Sequence, residues 1–139
     1  MAQLNFHNDI SINPPPQRVA VPLIQRLVAV YKLWLEFRDH ISKKLRHTLG
    51  NKIDSYFLDT IELLLVASYL GKEQKLPYLQ KAGNKLDVLK FFLQITWEIK
   101  ALDNRKYAIL SEQLNEIGKM IGGWNKGLLQ KRNPAYSGE

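Results

Sequence analysis

The side chains that could carry acid–base or metal chemistry are few here and poorly spaced for it. The histidines are His7, His40 and His47. A carboxylate-bridged di-metal site in a helical bundle needs Glu-x-x-His, which puts both ligands on one helix face. The residues three places before these histidines are Leu4, Phe37 and Lys44, so the motif is absent. There is no cysteine, which removes thiolate zinc sites, cysteine nucleophiles and disulfide frameworks together. No H-E-x-x-H, P-loop or G-x-S-x-G run occurs. Asp39 and His40 are adjacent, and Glu112 and Glu116 lie one helical turn apart. Neither pair has a neighbour that would complete a proton-transfer geometry. The sequence reads as a binding protein and not an enzyme, with no metal and no cofactor.

What the residue types do support is binding to anions. Lys and Arg number 20 against 13 Asp and Glu, for a formal net charge of +7. Such a balance favours an anionic partner, chiefly nucleic acid. Arg38, Lys43, Lys44, Arg46 and Lys52 cluster in sequence, with only Asp39 and Asp54 as nearby anions. His47 joins them. A helix beginning there would add free backbone N–H groups, which favour phosphate. A second set is Lys81, Lys85 and Lys90, and a third is Lys126, Lys131 and Arg132. Patches of this kind grip phosphates and carry no base readout. No aromatic strand motif for base recognition appears.

At 139 residues the chain is one domain, long enough to bury a core unaided. Met1 to Gln17 lacks a basic start and an unbroken apolar run, so no signal peptide is expected. The longest apolar stretch, Ile61 to Leu70, contains Glu62 and is too short to span a bilayer. A soluble, cytoplasmic protein is the expectation.

The elements that must position the basic residues are helices. Residues 1–21 read as an N-terminal arm whose Pro14, Pro15 and Pro16 form a helix-hostile spacer. Pro22 suits the first position of a helix over about 22–42, in which Ile24, Leu27, Val28, Tyr31, Trp34, Leu35 and Ile41 recur at helical spacing. Thr48 is the expected N-cap of a second helix, about 48–70, closed by Gly71. Its inner face is Leu49, Ile53, Phe57, Ile61, Leu64 and Ser68. Pro77 marks the start of a third, about 77–101, with Leu79, Ala82, Leu86, Leu89, Leu93 and Trp97 inward. Asp103 and Asn104 offer caps for a fourth, about 104–131, whose Tyr107, Leu110, Leu114, Ile117, Ile121, Trp124 and Leu128 form a heptad seam. Residues 132–139 read as a flexible tail. The fold class is all-α: an up-down-up-down antiparallel four-helix bundle.

Two features exceed what a lone bundle needs. Helix three carries a second apolar line, Val88, Phe92, Ile95 and Ile99, about 120° round from its core face. A single core contact takes a stripe of about 100°. The line therefore points to a lateral contact, with copies of the chain or with a protein partner. Helix four holds Gly118, Gly122, Gly123 and Gly127. Each costs about 1 kcal/mol against alanine in a helix. Gly118 and Gly122 are four apart, so they form one bare strip where another helix could approach.

Several segments resemble the accessory variability determinant (Avd) family, whose members accompany the reverse transcriptase of diversity-generating retroelements. They are Pro22-Leu23-Ile24-Gln25-Arg26, Lys43-Lys44-Leu45-Arg46-His47-Thr48-Leu49-Gly50, Leu86-Asp87-Val88-Leu89-Lys90, and the run from Ser111 to Trp124 that ends in Gly122-Gly123-Trp124. The resemblance runs from about Pro22 to Leu128. It implies a four-helix bundle that assembles as a homopentameric barrel and binds the reverse transcriptase together with template RNA or DNA. On that resemblance Lys43, Lys44, Arg46 and His47 match the family's basic first turn, and Lys90 matches a position usually held by arginine. The four-helix proteins encoded in ribosomal-RNA intervening sequences share the fold, but their Ser-Ile-Pro-Ala-Asn-Ile-Ala-Glu-Gly run is missing here. That family and an oligomeric scaffold without a nucleic-acid role are the alternatives. A peripheral membrane binder acting through the basic part of helix three is a further competitor.

Overall fold

The computed structural model describes residues 20–132, with side chains as far as Gln130. The expected arm up to residue 19 and the tail beyond 132 lie outside the described residues. Four long helices make the fold: α1, Ala20–Arg38; α2, Asn51–Ser68; α3, Lys72–Glu98; and α4, Asn104–Arg132. A short helical turn, Lys43–Leu45, and a π-helical turn, Arg46–Gly50, lead directly into α2. Among the described residues there is no strand. Each helix packs against two neighbours: α1 on α2 and α4, and α3 on α2 and α4.

One continuous apolar core fills the bundle. Leu23, Leu27, Val30 and Trp34 enter it from α1, and Ile53, Phe57 and Leu64 from α2. Leu79, Ala82, Leu86, Leu89 and Leu93 supply α3, and the 3-4 seam from Leu110 to Leu128 supplies α4. These positions recur every three or four residues because that spacing returns a side chain to the same helix face. Leu35 was expected inward and is 37% exposed. Trp34, also expected inward, is buried, and Phe37, which was not on the line drawn from the sequence, takes the next buried place.

The helix ends differ from the sequence reading in several places. The described part of helix one is already helical at Ala20, so Pro22 is not its first residue, and the helix stops at Arg38 rather than near Ser42. The chain then turns, with the Ile41 amide donating to the Arg38 carbonyl at 3.0 Å. Ser42, not Thr48, is the N-cap of the next helical run: its Oγ accepts from the Leu45 amide at 3.4 Å. The Thr48 hydroxyl instead donates back to the Lys44 and Leu45 carbonyls, inside the helical run. Serine wins because helical backbone already begins at Lys43, where its acceptor meets free N–H groups.

Gly71 does not terminate the second helix in a left-handed conformation. It has extended backbone, φ −70° and ψ 166°, and is the N-cap of α3. Helix α3 therefore starts at Lys72, and Pro77 sits within it. Proline withholds one backbone donor there, but burial of Leu76 and of the Lys75 stem carries the helix past it.

The turn after α3 is closed by a Schellman motif. The Ala101 amide donates to the Thr96 carbonyl at 2.9 Å and the Lys100 amide to the Trp97 carbonyl at 2.9 Å. Lys100 takes the left-handed position, φ 66°. Asp103 then caps α4, its Oδ1 accepting from the Lys106 amide at 2.8 Å. Asn104 does not cap; its Oδ1 accepts the Trp97 indole N–H at 2.8 Å. That bond fixes Trp97 against Tyr107, whose ring stacks on it with centroids 4.9 Å apart.

Candidate nucleic-acid interface

The basic turn is built by a polar network that starts in the core. Trp34 Nε1 donates to Asp54 Oδ1 at 2.7 Å, which pins the carboxylate at the α1–α2 crossing. Arg38 Nε lies 3.2 Å from Asp54 Oδ2. The other arm of the guanidinium donates to the Arg46 carbonyl at 3.3 Å and to Asn51 Oδ1 at 3.1 Å. Gly50 leaves room for it: a Cβ there would come 3.2 Å from Arg38 Nε. Tyr31 stands beside this network. Its hydroxyl pKa is raised, first by burial and then by the Asp54 carboxylate, against the opposing pull of Arg38.

Arg38 is therefore turned inward, and it braces the π-helical turn that carries Arg46 and His47. A π turn inserts an extra residue into a helix and re-aims its side chains. His47 emerges exposed on it, and Lys43 and Lys44 stand exposed on the short helical turn just before, while Arg46 is half-buried, donating to the Asp39 carbonyl at 3.3 Å. Asn51 Nδ2 closes the turn on the His47 carbonyl at 3.0 Å. Lys52 is exposed at the head of α2.

The lysines of α3 divide. Lys85 Nζ pairs with Asp59 Oδ2 of α2 at 3.2 Å and lies 5.1 Å from the Tyr56 ring centroid. Lys52 Nζ is 6.0 Å from the same ring. Lys81 lies 5.6 Å over Tyr78. Lys90 is loosely paired with Asp87 on its own helix, at 4.0 Å. Lys126 is exposed near the far end of α4. The structure thus gathers Lys52, Lys81 and Lys85 around the α2–α3 surface and leaves Lys90 and Lys126 apart from it. The side chains of Lys131 and Arg132 lie outside the described residues. Tyr56 was not singled out from the sequence; its spacing of four from Lys52 was the signal.

The second apolar line of α3 is partly exposed. Val88 is 36% and Ile99 50% exposed, and Ile95 is half-buried. Phe92 turns inward enough to stack on Tyr56, centroids 5.7 Å apart. The most exposed member of the face is Phe91, at 57%. It was missed because the line drawn at helical spacing ran through its neighbour.

Helix α4 runs unbroken through its glycines. A Cβ at Gly118 would make ordinary contact with Leu86 Cδ2 at 3.5 Å, and one at Gly122 would meet nothing within 4 Å. Among the described residues, no helix packs onto the bare backbone at Gly122. Near the start of α3, Lys75 is fully buried, with its Nζ 5.3 Å over the Trp124 ring. That nitrogen has no hydrogen-bond partner, and burial pushes its pKa down.

Among the described residues, no three metal-ligating side chains come together, and no helix is long and apolar enough to cross a membrane. No curated protein matches the chain. The model of the bAvd-like family, the bacterial accessory variability determinants, does match it, over residues 22–128. That span takes in nearly all of the four helices and the whole of the basic turn, and the chain belongs to the bAvd-like family.

Proposed function

We propose that this protein is the accessory subunit of a diversity-generating retroelement. It binds the element's reverse transcriptase and its template RNA or DNA, and it supports mutagenic cDNA synthesis and retrohoming in the cytoplasm. The polymerase performs the chemistry, while this chain supplies binding and architecture. The family match over residues 22–128 carries the reading. The exposed Lys43, Lys44 and His47 on a braced turn support it, since cations on a fixed backbone suit phosphate.

The four helices run up and down as antiparallel neighbours, a reading supported by the short connections at residues 69–71 and 99–103. Five copies assemble as a barrel. The exposed Phe91 and Ile99 on one helix, outside the α2–α3 groove, favour such a lateral contact over a monomer, because an apolar patch of this kind is stabilised by burial.

The test is binding to the element's template as RNA and as DNA across a salt series, with capture of the reverse transcriptase alongside. Affinity that falls steeply and linearly in log salt, with co-elution of the polymerase, is expected. A chain that captures neither nucleic acid at low ionic strength would reject the role and leave an oligomeric scaffold.

A further inference from the structure

Helices α2 and α3 leave an open groove of about 380 Å³ between them, lined by Tyr56, Leu63, Lys81, Asn84, Lys85 and Val88. Its floor is apolar, formed by half-buried Leu63 and exposed Val88. Its rim is cationic. Tyr56 organises that rim, since Lys52 and Lys85 both approach its ring. Asp59 fixes Lys85 in place at 3.2 Å and is outnumbered by the three lysines. Asn84 is exposed in the groove and offers both an amide donor and a carbonyl acceptor.

Helix α2 joins the groove to the basic turn. Lys52 stands one turn before Tyr56 on α2, and the short helical turn with Lys43 and Lys44, followed by the π-helical turn with His47, runs directly into that helix. From residue 52 to residue 63 the helix rises about 16 Å, the span of a few nucleotides.

The geometry points to this groove as a track for single-stranded nucleic acid, with phosphates on the lysine rim and unpaired bases against the apolar floor. The inference rests on the nucleic-acid role proposed above and adds the class of strand and the site. A duplex keeps its bases stacked inside and presents phosphates outward, so it can reach the rim and the basic turn but gains nothing from the floor. A single strand can lay base faces on Leu63 and Val88, a contact that tolerates any sequence. Charge selects nucleic acid over a protein helix, since an apolar strip bordered by Lys81 and Lys85, with Lys52 beside its Tyr56 and a cationic turn at the head of the same helix, is complementary to a polyanion with apolar bases.

The experiment uses the full chain and fluorescence anisotropy with a labelled oligo(dT) strand and an equal-length oligo(dA)·oligo(dT) duplex. Asn84→Glu puts a carboxylate in the groove from an exposed position, without touching the core. It is expected to weaken the single strand about tenfold and the duplex less than about threefold. Lys44→Gln on the basic turn is expected to weaken both alike. A strand substituted with 5-iodouracil is expected to cross-link to Tyr56. Equal losses on both ligands for Asn84→Glu, an unchanged strand affinity, or adducts confined to residues outside the groove would each overturn the track. Wild-type binding that the basic turn still controls would then leave the proposed function standing. Absence of wild-type binding to either ligand would reject both.

Discussion

Arg38 Nε lies 3.2 Å from Asp54 Oδ2, and each side chain is only 21% exposed. The same carboxylate accepts the Trp34 indole N–H at 2.7 Å. A core tryptophan, a carboxylate and a guanidinium are thus linked in series to the backbone of the basic turn. Arg38 was expected among the phosphate contacts. Its bonds instead hold the residues that stand exposed. Asp54→Ala should therefore cost about 2 kcal/mol, by stranding a half-buried guanidinium and a buried indole donor together. Urea unfolding of Asp54→Ala measures it; a loss under about 0.5 kcal/mol would mean the network does not bear on the fold.

Arg38→Gln separates bracing from direct phosphate contact. A phosphate-contacting arginine would lower the slope of log affinity against log salt by about one. A brace should lower it further, because Lys43, Lys44 and His47 lose their common support. A reduction of about one or less would show that Arg38 acts only for itself.

Lys75 is the chain's clearest stability cost. Its Nζ is fully buried over Trp124 with no hydrogen-bond partner, and its pKa is lowered by burial. A lowered folded-state pKa means that the unfolded chain holds the proton more tightly. Stability therefore rises as pH climbs from the folded value towards the ordinary 10.5. Lys75→Met should stabilise the protein by about 1–2 kcal/mol at neutral pH, with the gain shrinking as pH rises through that window. Tyr31 works in the opposite sense at the alkaline end, since its raised pKa withdraws stability above about pH 10. Comparing the two lysine forms in a Tyr31→Phe background removes that overlap. A pH-independent difference would show that Lys75 is solvated.

Lys100 occupies the left-handed position that glycine usually takes at a helix end. Lys100→Gly should relieve about 1 kcal/mol of backbone strain. Lys100 is exposed, so little packing is lost in exchange. Thermal unfolding should show a rise of a few degrees; a fall would mean that the lysine side chain contributes more than its backbone costs.

The helices were legible because their apolar spacing is regular: the seam from Leu110 to Leu128 is buried at each of its expected steps. The ends were less so. Ser42 and Thr48 are both good caps in isolation, and choosing between them required knowing that helical backbone already begins at Lys43, which leaves Thr48 inside the run. Pro77 read as a start because proline disfavours interior positions; burial at Lys75 and Leu76 overrode that preference. The basic residues were visible as types, but not which of them face solvent. Arg38 and Lys85 look alike in sequence to Lys43 and Lys44, and only the positions of Asp54 and Asp59 separate them. Tyr56 gains its place from two lysines on different helices, a relation that no local pattern contains.

Phe91 and Phe92 are adjacent, and the fold gives them different work. Phe92 stacks on Tyr56 and packs against the core, while Phe91 is 57% exposed. Phe92→Glu should then destabilise the folded chain by about 2–3 kcal/mol, since it removes an aromatic stack and buries a charge. Any loss of assembly in that variant would result from unfolding. Phe91→Glu should leave the unfolding free energy of the single chain within about 0.5 kcal/mol, because a surface substitution disturbs no packing. If the exposed α3 face joins copies of the chain, Phe91→Glu alone should drop the light-scattering mass from five subunits towards one while helicity is retained. An unchanged mass would place the contact between copies elsewhere, and the open strip at Gly122 would be the next surface to block.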